Sequence, residues 1–271
     1  MGLRRQVATL LDETALLDSR LGAVWQLHAR LLGCEALSEA MAQTELLFAA
    51  ATDTGGGLVG PSAPCAGPSA PYSLAPPHSS AKRRVSGSEG STRSKNGAAR
   101  VVRALCELLS EAGEFAHVPT QLLRALAFSP LGLAVVSASD APLLLAAAMR
   151  VSAPLLRSAG LALFAQLAAD ESGRESGTES GRESGTESGR EALARSGFAR
   201  ALKSAAAHGC DARDWEHILS TVEGMLGCAT GLRALGSAQA ARWLAEASAR
   251  CDGGELRLRA RDAARLRGLS T

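Results

Sequence analysis

Aromatic residues are scarce in this chain: they make up 3% of its 271 residues, whereas hydrophobic residues as a whole make up 46%. Most of the apolar residues are Ala and Leu, and β-branched residues are scattered along the chain. Sheets favour β-branched and aromatic side chains, whereas packed helices are rich in Ala and Leu. The composition therefore predicts an all-α protein.

An excess of either charge is also missing. The chain has 29 basic and 27 acidic residues and a net charge of +2, without the strong basic excess that is typical of a nucleic-acid-binding domain. No apolar run approaches the length that a membrane span needs. We therefore expect neither a nucleic-acid partner nor a membrane span.

The sequence lacks the common catalytic, phosphate-binding and metal-binding motifs. The six cysteines form no C-x-x-C pair, and no phosphate-binding glycine loop, H-E-x-x-H or G-x-S-x-G motif is present. We predict no enzyme activity, no cofactor and no metal. Asp12, Glu13 and Asp18 interrupt the N-terminal stretch, which does not fit a secretory signal. The thiols are then expected to be reduced, and the protein to be cytoplasmic.

One polar cluster, around the start of a predicted helix, is a candidate for a metal site or a catalytic site. It contains His208, Cys210, Asp211, Asp214 and His217. A zinc site needs four ligands in a closed geometry, and a Cys-His nucleophile needs a third group to orient the pair. We favour a structural interpretation, in which Asp211 or Asp214 carries the N-terminal charge of the helix, the thiol of Cys210 packs, and His217 is a surface side chain.

Two tryptophans, Trp215 and Trp243, lie on predicted helices. Helical-repeat proteins that bind extended peptides combine groove tryptophans with a ladder of asparagines. The only asparagine in this chain is Asn96. We therefore expect both indoles to pack in the core or between repeats.

Residues 1–49 are expected to form one long helix or a helical hairpin. Apolar residues recur there at alternating steps of four and three, which is a heptad pattern. The pattern is compatible with a core face and with a coiled-coil contact to another helix; we predict a contact in trans, either with a second copy or with a partner. We call the stripe of heptad positions the seam. Its apolar residues are Leu3, Val7, Leu10, Leu17, Leu21, Val24 and Leu31. Thr14 and His28 occupy its two remaining positions.

Residues 50–96 are rich in Gly, Pro and Ser and nearly lack Leu and Val. Such a segment buries too little apolar surface to offset the entropy of ordering it. We expect a disordered linker that separates residues 1–49 from the rest. Within it, Ser86 follows paired arginines as a basophilic kinase requires and is a possible phosphorylation site; the alternative is a solvated charge run.

Residues 97–271 repeat a pattern. Near Leu126, Leu167 and Leu226 a helix ends, the chain turns into a short helix, and a serine precedes a new amphipathic helix. These serines are Ser139, Ser196 and Ser237. A period of about 40 residues with two or three helices is typical of armadillo and HEAT repeats. We also expect Leu163 and Leu167 to be buried.

The distance from Ser139 to Ser196 exceeds the period by two copies of an octapeptide. Residues 171–190 supply the excess, because they repeat the letters ESGRESGT. Glycines inside a helix cost about 1 kcal/mol each, whereas Glu–Arg pairs return about 0.2–0.5 kcal/mol. We expect this segment to be a disordered loop between two helices of one repeat.

The stretches LLRALAFSPLGLAVVSASDAPLLLAAAM, RSAGLALFAQLAA and ARSGFARALKSA resemble armadillo-type repeats. They are also similar to the C-terminal repeats of the rotatin family of centriolar scaffolds. The resemblance covers residues 100–250 and implies an armadillo-like solenoid, a structural part in a centriole or ciliary basal body, and no catalytic residues. The chain departs from that family in its short length and in its ESG repeat.

The C-terminus is rich in arginine. Arg257, Arg261 and Arg265 surround an apolar stripe on a predicted helix. Either the helix caps the repeat stack with a polar outer face, or it binds an anionic partner such as an acidic protein tail or RNA; we favour the cap. The whole sequence predicts a non-catalytic scaffold that binds protein partners. A soluble adaptor that binds a client protein is the alternative.

Overall fold

The structure is a computed structural model, and it describes residues 2–34, 36–54, 87–150, 153–170, 189–250 and 254–266. All regular elements in these ranges are helical, which confirms the all-α prediction. A short 3-10 helix lies at Gly113–Ala116. The α-helices are α1 (Leu3–Leu11), α2 (Leu17–Leu32), α3 (Leu37–Asp53), α4 (Gly87–Glu111), α5 (His117–Leu126), α6 (Pro130–Ala138), α7 (Ala141–Ala148), α8 (Pro154–Ala168), α9 (Gly189–Ser196), α10 (Phe198–Ala207), α11 (Ala212–Leu226), α12 (Ala229–Leu235), α13 (Ser237–Arg250) and α14 (Gly254–Leu266).

Helices α5 to α13 form three successive units of three helices: α5–α7, α8–α10 and α11–α13. The first helices contact one another in order, α5 on α8 and α8 on α11. The second helices do the same, α6 on α9 and α9 on α12, and the third helix α7 contacts α10. Leu163 and Leu167 on α8 are fully buried, as predicted. The middle unit is therefore covered on both sides by its neighbours.

The turn from the first helix to the second has the same construction in the outer two units. In one, Ser129 Oγ accepts a hydrogen bond from the N–H of Gly132 at 3.0 Å. In the other, Cys228 Sγ accepts from the N–H of Gly231 at 3.3 Å. A Cβ atom on either glycine would collide with a carbonyl oxygen of the preceding helix, that of Leu126 in the first case. Glycine is therefore the residue that lets the two helices approach.

The N-terminal region contains three helices, so the expected single helix or hairpin over 1–49 is wrong. Helix α1 ends at Leu11, and α2 begins at Leu17. Between them the Asp12 carboxylate accepts hydrogen bonds from the N–H of Thr14 at 3.0 Å and from its hydroxyl at 2.6 Å. Such a local side-chain turn competes with a helix. The heptad spacing continues across a turn that interrupts the helix.

These helices pack on the rest of the chain, which corrects the expectation of a separate N-terminal unit. Helix α2 contacts α5, and α3 contacts α4. The buried side chain of Arg20 joins the two parts, because its Nε donates to the carbonyl oxygen of Leu10 at 3.2 Å and its Nη2 lies 3.3 Å from Glu107 on α4. One hydrophobic core includes residues from both parts.

Both ends of the expected linker are helical, since α3 extends to Asp53 and α4 begins at Gly87. Arg93 on α4 pairs with Asp53 at 2.9 Å, and Arg100 donates to the carbonyl oxygen of Ala51. These contacts stabilise a Gly- and Ser-rich helical turn that composition alone disfavours. The rest of the linker, 55–86, lies outside the described residues, as does 171–188 of the ESG segment. Residues 189–190 of that segment begin α9 and are helical.

Among the described helices, no single one is long and apolar enough to cross a membrane. Helices α6 and α7 meet the length and composition criteria only as a pair, and they are bent by 69° relative to each other.

Candidate protein-binding surfaces

A groove of about 460 Å³ separates the third helices of the last two units. Helix α13 packs on α11, α12 and α14, and the groove lies between it and α10. We call this cleft the α10–α13 groove. Its lining is polar and charged around one indole: Lys203, Ala206 and Ala207 come from α10, and Gln239, Arg242, Trp243, Glu246 and Arg250 from α13.

The charges of the α10–α13 groove are mainly basic. Arg242 is neutralised by Glu246, whose carboxylate accepts its hydrogen bond at 2.9 Å. Lys203 has no ion pair with the described residues. The Arg250 guanidinium lies 5.4 Å from the ring centroid of Trp215, a cation–π contact that leaves its charge unneutralised. The groove therefore offers two cations to an anionic group.

Two tryptophans form the wall behind these cations. The rings of Trp215 and Trp243 are 6.2 Å apart and tilted by 53°. Both side chains are buried, as the sequence predicted, and Trp243 also lines the groove. The indole nitrogen of Trp243 is buried and has no hydrogen-bond partner within the described chain. The groove was not predictable from the sequence, because α10 and α13 belong to different three-helix units and meet only in the folded chain.

A second groove of about 670 Å³ lies between α4 and the helices α6 and α7. Its floor is apolar and includes Val102, Leu131 and Val135, and the nearly buried thiol of Cys106 opens onto it. Burial raises the pKa of the Cys106 thiol to about 11. At neutral pH this thiol is protonated, and a protonated thiol is a poor nucleophile.

Two members of the polar cluster around the start of α11, Asp211 and Cys210, have the structural roles that we favoured. Asp211 is the N-cap of α11, and its carboxylate accepts from the N–H of Asp214 at 2.7 Å. His208, which directly follows α10, has its Nδ1 2.7 Å from the carbonyl oxygen of Ser204 in the last turn of that helix. Burial is the main cause that raises the pKa of Cys210 to about 11. Within the described residues, no group of three His, Cys, Asp or Glu side chains is arranged to hold a metal ion.

The heptad seam residues pack against other helices of the same chain. Leu10, Val24 and Leu31 are buried, and Leu17 and Leu21 are partly buried against the same core. This contradicts the prediction that they form a contact in trans, since a partner helix would have to displace the chain's own helices. The side chains that α2 exposes are instead off the seam, such as Trp25 and Leu32.

The C-terminal helix α14 packs on α13 and α11, as a capping helix does. Ala260 is buried, and Arg259 pairs with Glu223 on α11 at 2.6 Å. Arg261 and Arg265 are exposed on its outer side. The side chain of Arg257 and the whole of Ser86 lie outside the described residues, so those two predictions stay predictions.

Comparison of the chain with known protein families found no match, and comparison with curated proteins found no matching relative.

Proposed function

We propose that this chain is a non-catalytic scaffold for protein–protein interaction, built as an armadillo-like solenoid. The three-helix units with their repeated turns, and the ordered contacts between equivalent helices, support this arrangement. In such a stack each repeat contacts its neighbours and contributes one strip to an extended surface. Extended surfaces of this kind bind other proteins.

The observation that carries the proposal is the α10–α13 groove. Lys203 and Arg250 stand on opposite walls, and Trp243 lies beside them. Tryptophan and arginine are the residues that contribute most to protein interfaces, because they combine large buried area with directed polar contacts. A segment of a partner protein that carries carboxylates beside an apolar side chain complements this lining.

The high thiol pKa values support the non-catalytic part of the proposal. Cys106 and Cys210 are nucleophile candidates that border a groove or a polar cluster. Their pKa values of about 11 keep both protonated at neutral pH, whereas a catalytic cysteine needs its thiolate.

The narrower proposal, a structural component of a centriole or ciliary basal body, rests on the resemblance to the rotatin family alone. The alternative is a soluble adaptor of the transport or chaperone kind. Imaging of the tagged protein beside a centriole marker tests the location. Diffuse fluorescence without enrichment at centrioles would exclude the narrower proposal.

Sedimentation of the tagged full chain from its native cell tests the scaffold proposal against the adaptor. We expect wild-type protein in a fast-sedimenting assembly, and we expect the double variant Lys203→Glu, Arg250→Glu to sediment as a small species. Arg233→Glu is the control, since Arg233 is exposed on α12 away from the groove. If wild-type protein itself sediments as a small species, the scaffold proposal is wrong and the adaptor is favoured.

A further inference from the structure

Arg124 on α5 is a partly buried cation that has no counterion among the described residues. Its guanidinium forms no ion pair and no hydrogen bond with the described residues, although its side chain is far from fully exposed. Burial is the main cause that lowers its pKa, and the nearby charge of Arg213 adds to the effect. Burying a charge without a partner is unfavourable, so an arginine in this position is poised to accept an anion.

The helices around α5 bring two imidazoles and a second arginine to the same surface. Helix α2 packs on one side of α5 and presents His28, and α8 packs on the other side, with α11 beyond it. Helix α11 presents Arg213 and His217. We call the surface formed by Trp25, His28, Arg124, Arg213 and His217 the α5 face.

Side chains of α5 and α11 can approach each other over the exposed face of α8, because the side chains on that face are few and mostly small. Beyond its first turn, the only side chains of α8 that are not buried are Ser158, Ala165 and Gln166. Two of these are small. Arg124 is consequently close enough to His217, two helices away, for its charge to lower the pKa of that imidazole.

The electrostatics of the α5 face favour the binding of an anion. Burial, followed by the charge of Arg124, lowers the pKa of His28. Burial also lowers the pKa of His217, with Arg124 and Arg213 adding to the effect and with Glu216 and Asp214 opposing it. Both imidazoles are therefore neutral at pH 7, while the two arginines are charged. An anion placed among them would stabilise the protonated imidazoles.

We propose that the α5 face binds an acidic segment of a partner protein, with a carboxylate at Arg124 and an apolar side chain against Trp25. Trp25 is 55% exposed and its ring lies 6.4 Å from that of His28, which in turn is close enough to Arg124 to be influenced by its charge, so the apolar and cationic parts belong to one surface. Nucleic acid fits less well, because two arginines flanked by Glu216 and Asp214 are few cations for a continuous row of phosphates. The surface is separate from the α10–α13 groove; the proposal rests on the proposed function only in that the partner is a protein.

A labelled oligoglutamate peptide with one central phenylalanine, titrated into the full chain by fluorescence anisotropy, tests the proposal. We expect Arg124→Gln to weaken binding by roughly tenfold, which is about 1.4 kcal/mol. Arg213→Gln changes an exposed residue of the same face and should weaken binding in the same direction. Arg233→Gln should leave affinity unchanged, and circular dichroism should show the same helicity for all four proteins.

NMR titration of the imidazole resonances, which gives the histidine pKa values with and without peptide, provides a second measurement. Peptide binding should raise the pKa of His28 and His217 toward or above the ordinary value, so affinity should increase as pH falls toward 6. Equal affinity of wild type, Arg124→Gln and Arg213→Gln would overturn the proposal, as would tighter binding of a single-stranded oligonucleotide. Such a result, with wild-type protein still in a fast-sedimenting assembly, would leave the scaffold proposal standing.

Discussion

Asp170 and Gly189 form a helix cap across 19 positions of sequence. The Asp170 carboxylate accepts a hydrogen bond from the N–H of Gly189 at 2.9 Å. Ser129 and Gly132 form the corresponding cap in the preceding unit, three positions apart. As at Gly132, a Cβ atom on Gly189 would collide with a leucine carbonyl oxygen of the preceding helix, here that of Leu167. The middle unit therefore has the same turn as its neighbours, with a repetitive segment inserted between cap and glycine.

Deletion of residues 171–186 should leave the fold intact. It joins Asp170 to Glu187 and gives the cap and Gly189 the spacing of Ser129 and Gly132. Because the loop to be closed becomes shorter, we expect the free energy of unfolding to rise by about 1–2 kcal/mol. Urea denaturation followed by circular dichroism measures the change.

Deletion of residues 171–188 is the control. It removes two further residues and places Asp170 directly before Gly189, so the cap cannot form and α8 cannot turn into α9. We expect this variant to be less stable than the parent protein. If both deletions have the same stability, the cap between Asp170 and Gly189 does not determine how this unit closes.

Gly132→Ala should destabilise the protein by about 2 kcal/mol or more, because the new Cβ meets the carbonyl oxygen of Leu126 where the backbone of α6 approaches α5. Gly22→Ala is the matched control. Gly22 lies inside α2 with no atom near the position of a Cβ, so alanine should stabilise that helix by up to about 1 kcal/mol. Thermal unfolding of both variants should show midpoints that move in opposite directions.

Val24→Asp and Trp25→Asp separate the two interpretations of the N-terminal helices. Val24 is fully buried, whereas Trp25 is 55% exposed. A carboxylate at position 24 is placed in the common core, and we expect the whole chain to lose about 3 kcal/mol or more. The adjacent change at position 25 should cost less than about 1 kcal/mol.

The measurement is the unfolding of the full chain, followed by a probe in the C-terminal units such as the fluorescence of Trp215 and Trp243. If Val24→Asp lowers the protein's self-association and leaves this transition where it was, the seam contacts a helix in trans and the intramolecular packing described here is wrong.

The helical class and the turns within the three-helix units were predictable because they depend on local signals. A glycine must stand where two backbones approach, and serine often begins or ends a helix because its hydroxyl can hydrogen-bond to nearby backbone groups, so Ser139, Ser196 and Ser237 marked true boundaries. The burial of Leu163 and Leu167 followed from helical periodicity for the same reason.

The N-terminal architecture was mispredicted because a short turn between two helices can keep the heptad spacing of the apolar residues unchanged. Hydrophobic periodicity then gives no sign that the helix is interrupted. Nothing in the spacing of Leu10 and Leu17 shows that Asp12 folds back on Thr14 between them. The helical start of α4 depends on Arg93 and Arg100 reaching α3, which are tertiary contacts. The α5 face escaped detection since Arg124 and His217 are distant in sequence and become neighbours only through the packing of α2, α5, α8 and α11.

The cap between Asp170 and Gly189 also bears on how this gene can change. The letters ESGR occur at 171–174, 179–182 and 187–190, and only the last copy supplies the glycine that α9 uses. Tandem tracts gain and lose whole units when DNA polymerase slips. Every such event leaves Asp170 before the tract and a complete ESGR copy at the start of α9, with its glycine and arginine as the first two residues of the helix. The number of octapeptides can therefore change in steps of eight residues without altering the cap or the packed helices on either side, and only the entropy of closing the loop changes.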